Sequence, residues 1–266
     1  MNCAWNAAIV LAPVRPAAIY ALTAALTLLV ILYQKRAALA LRLRHRHMQE
    51  GDYDGALRVL HRMSLGVPNP VTLHAEGLTL SLAGRPAEAV RKYRVALAQA
   101  SGASYRRERL HACLGFALAD LGKYSDAERC FHDAIEAGDT TGNSQDGLAG
   151  LRLVQGIEPA VALNFAQQAI EHAKRRPDGH VPGAYYGHQA WALALLNRPE
   201  EAREALQRDL SDPSPSAFGR AGLHWRTGMA LLALQQPDEA RRHFALGRDA
   251  DPHGKYGRRC QEMLQQ

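Results

Sequence analysis

Cysteine is scarce in this chain: Cys3, Cys113, Cys130 and Cys260 are the only four in 266 residues. No two stand at CxxC spacing and they are widely scattered, so neither a structural zinc site nor a disulfide framework has support. Cys113 and Cys130 read as small apolar packing residues. The phosphate-binding GxxxxGK[ST] loop, the HExxH zinc motif, the GxSxG nucleophile elbow and a GxGxxG turn after a strand are all missing, which removes the common motif-bearing enzyme classes. Twelve histidines are dispersed, and the one close pair, His45 and His47, sits two residues apart, so on a helix the rings point to different sides. No cofactor, no metal and no catalytic residue is expected.

Acidic residues are absent before Glu50, whereas Arg15, Lys35, Arg36, Arg42, Arg44 and Arg46 fall in the same stretch. The formal charge of +6 is therefore concentrated in the first 50 residues, and the remainder is almost balanced. Arg106-Arg107-Arg109 and Lys174-Arg175-Arg176 are short clusters without an accompanying RNA- or DNA-binding motif and read as solvated helix or loop charge; no nucleic-acid partner is expected.

What is present is a repeat. Ala56, Ala89, Ala127, Ala162, Ala202 and Ala240 recur at steps of 33 to 40 residues. Four positions after five of them stands a bulky side chain: Leu60, Tyr93, Phe131, Leu206 and Phe244. Three further on, Ala96, Ala134 and Gly247 are small again, while Met63 and Asp209 depart from the pattern. Small residues allow two helices to cross closely, and the bulky one fills the gap between them. The fourth unit matches least well, with Ala166 where an aromatic is expected.

Between the helices lie turns with helix-ending chemistry. Gly51, Gly84, Gly122 and Gly156 stand where a left-handed residue is needed, and Asn197 and Gln235 take that place in the last two units. Pro86, Pro199 and Pro237 follow, where a new helix loses nothing by lacking an N–H, with acids such as Glu88, Asp126, Glu200 and Asp238 near its positive end.

Leu114-Gly115, Gly122-Lys123-Tyr124, Ala127, Phe131 and Ala134 resemble a tetratricopeptide repeat. The resemblance implies an all-α fold: a right-handed α-solenoid of about six helix-turn-helix units over residues 35–254, closed by a capping helix at 255–266. It also implies a concave face, lined by the first helix of each unit, that takes an extended peptide or a helix of a partner protein. In that register His74, Leu78, Arg109, Phe116, Asp146, Trp191, Trp225 and Met229 face inward. Flat apolar side chains there would supply contact area, and Arg109 and Asp146 orientation; each aromatic has the alternative of simply packing on the neighbouring unit. Of the two-carboxylate clamp used by some members, only Arg109 has a counterpart among Leu41, His45, Ala75, Arg109 and Cys113.

An uncharged stretch from Ala17 to Tyr33 precedes the repeats. About 17 residues is the lower limit for a bilayer span, so a transmembrane helix over 17–34 is expected, after an extramembrane or interfacial segment 1–16. A cleaved signal peptide and a buried helix are the rival readings. Lys35, Arg36, Arg42, Arg44 and Arg46 would then meet the membrane surface, residues 17–46 would contact lipid, and the positive-inside rule would put the repeats in the cytoplasm as a single-pass protein of a bacterial inner membrane. This layout is similar to that of bacterial membrane-anchored tetratricopeptide proteins of the lipopolysaccharide assembly protein B type, without their rubredoxin-like metal module. The expected function is a membrane-anchored scaffold or adaptor holding a protein partner; an exported envelope assembly or targeting factor, and an enzyme with its site in the groove, remain as alternatives.

Overall fold

A computed structural model describes residues 16–63, 69–100, 106–211 and 216–266. Among them are thirteen α-helices and no strand. The first helices of the six units are α1 (Pro16–Glu50), α3 (Pro70–Leu82), α5 (Arg107–Asp120), α7 (Asn143–Gln155), α9 (Gly183–Leu195) and α11 (Ala217–Ala233). Each is followed by its antiparallel partner: α2 (Tyr53–Met63), α4 (Pro86–Gln99), α6 (Tyr124–Glu136), α8 (Pro159–Lys174), α10 (Pro199–Leu210) and α12 (Pro237–Ala250). Helix α13 (Lys255–Leu264) comes last.

The pairing of each unit follows from its small residues. All six pattern alanines are completely buried. The ring four residues later lies on the bare backbone of a glycine in the first helix: Tyr93 on Gly77, Phe131 on Gly115, Phe244 on Gly228. A Cβ added at those glycines would come within 2.6, 2.8 and 2.4 Å of the ring. Phe131 also meets Gly147 of the next unit, so a single buried ring joins three helices. In the fourth unit Ala166 is fully buried, and the neighbouring Phe165 packs on the core shared with the preceding units.

Every first helix from α1 to α11 ends on a left-handed residue. Gly51, Gly84, Gly122 and Gly156 have φ of +76°, +66°, +72° and +66°, and Asn197 and Gln235 adopt +56° and +59°. Proline then opens α4, α8, α10 and α12.

The amino-terminal expectation needs correction. Among the described residues no helix is long and apolar enough to cross a membrane, so the transmembrane helix at 17–34, the single-pass placement with cytoplasmic repeats and the lipid contact of residues 17–46 do not stand. The uncharged stretch was at the lower length limit, and it does not form a separate element. Helix α1 runs unbroken through it, past Lys35 and Arg36, into the first unit. Thr23 and Thr27 interrupt its apolar surface, their hydroxyls donating to the carbonyls of Tyr20 and Thr23. Residues 1–15, which hold most of the expected extramembrane segment, lie outside the described residues.

The solenoid curls until its ends meet. The Tyr53 hydroxyl, at the start of α2, donates to the Asp251 carboxylate at the end of α12. The Gly51 turn lies against Asp251 and Ala217. Helix α13 packs on α11 and α12 through Tyr256, Cys260, Met263 and Leu264, and its other side reaches the ends of α3 and α5.

Candidate functional site

The inner surface is built from the first helices, and α13 lies across it. Leu78, Phe116 and Asp146 come together in a cavity of about 370 Å³ with Leu82, Tyr93, Phe218 and Leu223; Lys255 and Tyr256 of α13 close one side. Trp191, Trp225 and Met229 line a separate, open recess of about 600 Å³, bounded by Arg259 and Met263 of α13. A narrow crevice of about 60 Å³ runs between them, edged by Phe116, Asp120, Trp225, Lys255, Tyr256 and Arg259. Six of the predicted inward residues thus line one or the other recess, on either side of the closing helix, whereas His74 and Arg109 line neither.

Trp191 and Trp225 are both buried. Trp191 and Trp225 pack edge to face with centroids 5.6 Å apart, the Tyr256 ring lies 5.6 Å from Trp225, and the Arg259 guanidinium sits 5.1 Å over it. Cation–π contact of this kind strengthens the seat of α13. His74 is half-buried beside the Tyr93 ring, its Nε2 3.5 Å from Cys113 Sγ. Burial, with the charges of Arg109 and Arg44 adding to it, pushes the His74 imidazole down to about 4. Arg109 itself is exposed.

Two side-chain pairs border the cavity that holds Asp146. His188 Nδ1 lies 2.7 Å from Asp146 Oδ1. Asp209, where the repeat pattern called for a small residue, is buried and accepts from Arg226 of α11 at 3.1 and 3.4 Å. Burial pushes the Asp209 carboxyl up, against the opposing pull of Arg226. Burial also pushes the Cys113 thiol in the same cavity up to about 11, so it stays protonated at neutral pH and is a poor nucleophile. Among the described residues no group of three or more His, Cys, Asp or Glu side chains is placed to hold a metal ion.

The five basic residues expected to face one surface meet different surroundings. Lys35 and Arg42 are exposed, Arg36 donates to the Arg62 carbonyl, and Arg46 pairs with Glu50 one turn on. Arg44 is half-buried and donates to the Thr79 hydroxyl of α3 at 3.0 Å.

Sequence reading missed His188, Arg226 and Asp120, and it treated α13 only as an end cap. Asp209, out of place in the repeat pattern, was the local signal for the first pair. Lys255-Tyr256 followed by Arg258-Arg259 was the signal for a helix with a second, basic face.

No family model and no curated protein matches the chain. Solved structures do. A tetratricopeptide repeat protein from Parabacteroides merdae superposes with a TM-score of 0.58 at 18% identity, covering 86% of this chain and 82% of that one. A thermophilic tetratricopeptide repeat protein from Thermus thermophilus gives 0.52 at 16% identity, over 74% of this chain and 100% of its own. The pilF protein of Pseudomonas aeruginosa gives 0.52 at 17%, over 86% and 98%. The chain therefore has the all-α tetratricopeptide-type solenoid fold, and about six repeats fit it.

Proposed function

We propose that this protein is a non-catalytic scaffold that holds a peptide or helix of a protein partner on its concave face. The observation that carries this reading is the inner cavity of about 370 Å³, where Leu78 and Phe116 from two successive first helices supply apolar surface beside the carboxylate of Asp146. Such a surface can bury an apolar side chain and orient a polar one, the combination that fixes a bound segment. On the other side of α13, Trp191, Trp225 and Met229 line a second recess. The protonated Cys113 thiol and the lack of any catalytic motif favour binding over chemistry.

The test is site-specific photocrosslinking in cells. A photoreactive side chain at Leu78 should give a discrete protein adduct, whereas one at Val95, exposed on α4, should not. Adducts of the same kind from both positions, or none from Leu78, would overturn the assignment of the concave face.

A further inference from the structure

A helix that merely covered the end of the solenoid would need only the face that α13 turns toward α11 and α12, where Tyr256, Cys260, Met263 and Leu264 pack. The face beside it is engaged as well. Lys255 Nζ lies 3.0 Å from Asp120 Oδ2, and Arg259 Nη2 3.0 Å from Asp120 Oδ1, so one carboxylate at the end of α5 accepts from two cations. The pair is shielded, with the Lys255 and Asp120 side chains only 14% and 12% exposed. Arg258 donates to the carbonyl of Ala83 at the end of α3, against Gly84. Between these cations the Tyr256 ring rests on Gly222, where an added Cβ would come within 3.1 Å of it, and on Trp225. The contacts join residues 135 to 175 positions apart.

From this we infer that α13 is an internal occupant of the binding groove, and that the partner segment is a helix presenting an aromatic ring flanked by basic side chains one turn apart, which takes the place of α13. The inference rests on the concave face being the binding surface. Its chemistry is that of the seat: Asp120 accepts the cations, Trp225 receives the ring and the guanidinium, and Asp146 and Asp209 line the cavity beneath Lys255 and Tyr256. An internal segment competes at an effective concentration on the order of millimolar, so the closed chain would bind such a partner weakly. Displacement of α13 would unite the two recesses it now divides.

The experiment uses a fluorescein-labelled peptide of residues 251–266 and the full chain, followed by fluorescence anisotropy. The variant K255E/R259E, whose own α13 is repelled by Asp120, should bind the peptide roughly ten- to a hundredfold more tightly than the unaltered chain, the range set by loss of charged hydrogen bonds. Adding Asp120→Lys to that variant should abolish the gain. If circular dichroism shows K255E/R259E to be unfolded, K255Q/R259Q replaces it, with a smaller gain expected. Equal affinity for the unaltered and released chains, or peptide binding indifferent to Asp120→Lys, would overturn the inference. A dimer formed by the unaltered chain, with α13 of one copy seated in the other, would overturn the assignment to a separate partner. Peptide failure with crosslinking from Leu78 intact removes only the role of α13; peptide success with crosslinking absent removes the scaffold reading.

Discussion

Removing one charge from the Asp209–Arg226 pair should be among the most damaging single changes in this protein, and removing both should be far milder. Arg226 and Asp209 are 9% and 1% exposed in their side chains and lie 3.1 Å apart. Gly187 of α9 leaves the room, since a Cβ there would fall 2.2 Å from Asp209 Oδ2. Arg226→Met keeps an aliphatic stem but strands a buried carboxylate, which costs about 3–5 kcal/mol. Asp209→Ala strands a guanidinium that has no accessible neutral form, at a similar cost. The double variant carries no buried charge and should lie within about 1–2 kcal/mol of the unaltered chain. Urea unfolding followed by circular dichroism at 222 nm measures all three. A pH series adds a sign: in Arg226→Met the buried carboxyl, deprived of its cation, titrates above its unfolded value. The deficit must therefore grow as pH rises above the ordinary carboxyl range and shrink on acidification. A single-variant cost below about 1 kcal/mol, or a double-variant cost equal to the sum of the singles, would refute the reasoning.

Gly147→Ala places a Cβ 2.4 Å from the Phe131 ring. Overpacking of about 1–3 kcal/mol should exceed the gain in helix propensity of about 1 kcal/mol, but in a Phe131→Ala background the same change should become neutral or stabilising; denaturant titration showing the same sign in both backgrounds would contradict this. Gln235 holds φ +59° without being glycine, so Gln235→Gly should raise stability by about 1 kcal/mol. Gly122→Gln should lower it by a similar amount, because a Cβ there meets nothing within 4 Å and only the backbone is strained; thermal melts with either sign inverted would refute the turn argument. His74, held down at about 4 by burial, stays neutral in the folded chain while the unfolded chain takes up a proton near pH 6.5. Stability should therefore fall as pH drops from about 6.5 to about 4, by about 3 kcal/mol from this residue. His74→Gln should reduce that slope in pH-dependent melts without abolishing it, since burial lowers His111, His224 and His243 in the same direction.

The departures from the repeat pattern carried information that only packing could decode. Ala166 looked like a missing aromatic, yet the adjacent Phe165 serves the core from one position earlier. Asp209 looked like a lapse at a small-residue position, yet it is half of a buried ion pair whose partner lies 17 residues on. The uncharged segment 17–34 has the minimum length for a span, but no described helix is long and apolar enough to cross a membrane. Register predicts an inward position for Trp191 and Trp225, but a register contains no term for a terminal helix folding back over them.

What the sequence determined by itself is everything that recurs at short range: six helix pairs, their alanine crossings, and the turn residues that must accept a positive φ. These signals are local because a helix end, a tight turn and an interhelical contact such as Gly77 with Tyr93 each involve residues of a single unit, so each unit carries its own instructions. The curvature of the stack accumulates over all the units, and whether its ends meet depends on small angles that no single repeat specifies. Closure through Tyr53 and Asp251, 198 residues apart, and the seating of α13 on Asp120 and Trp225 were therefore decided by the tertiary structure alone.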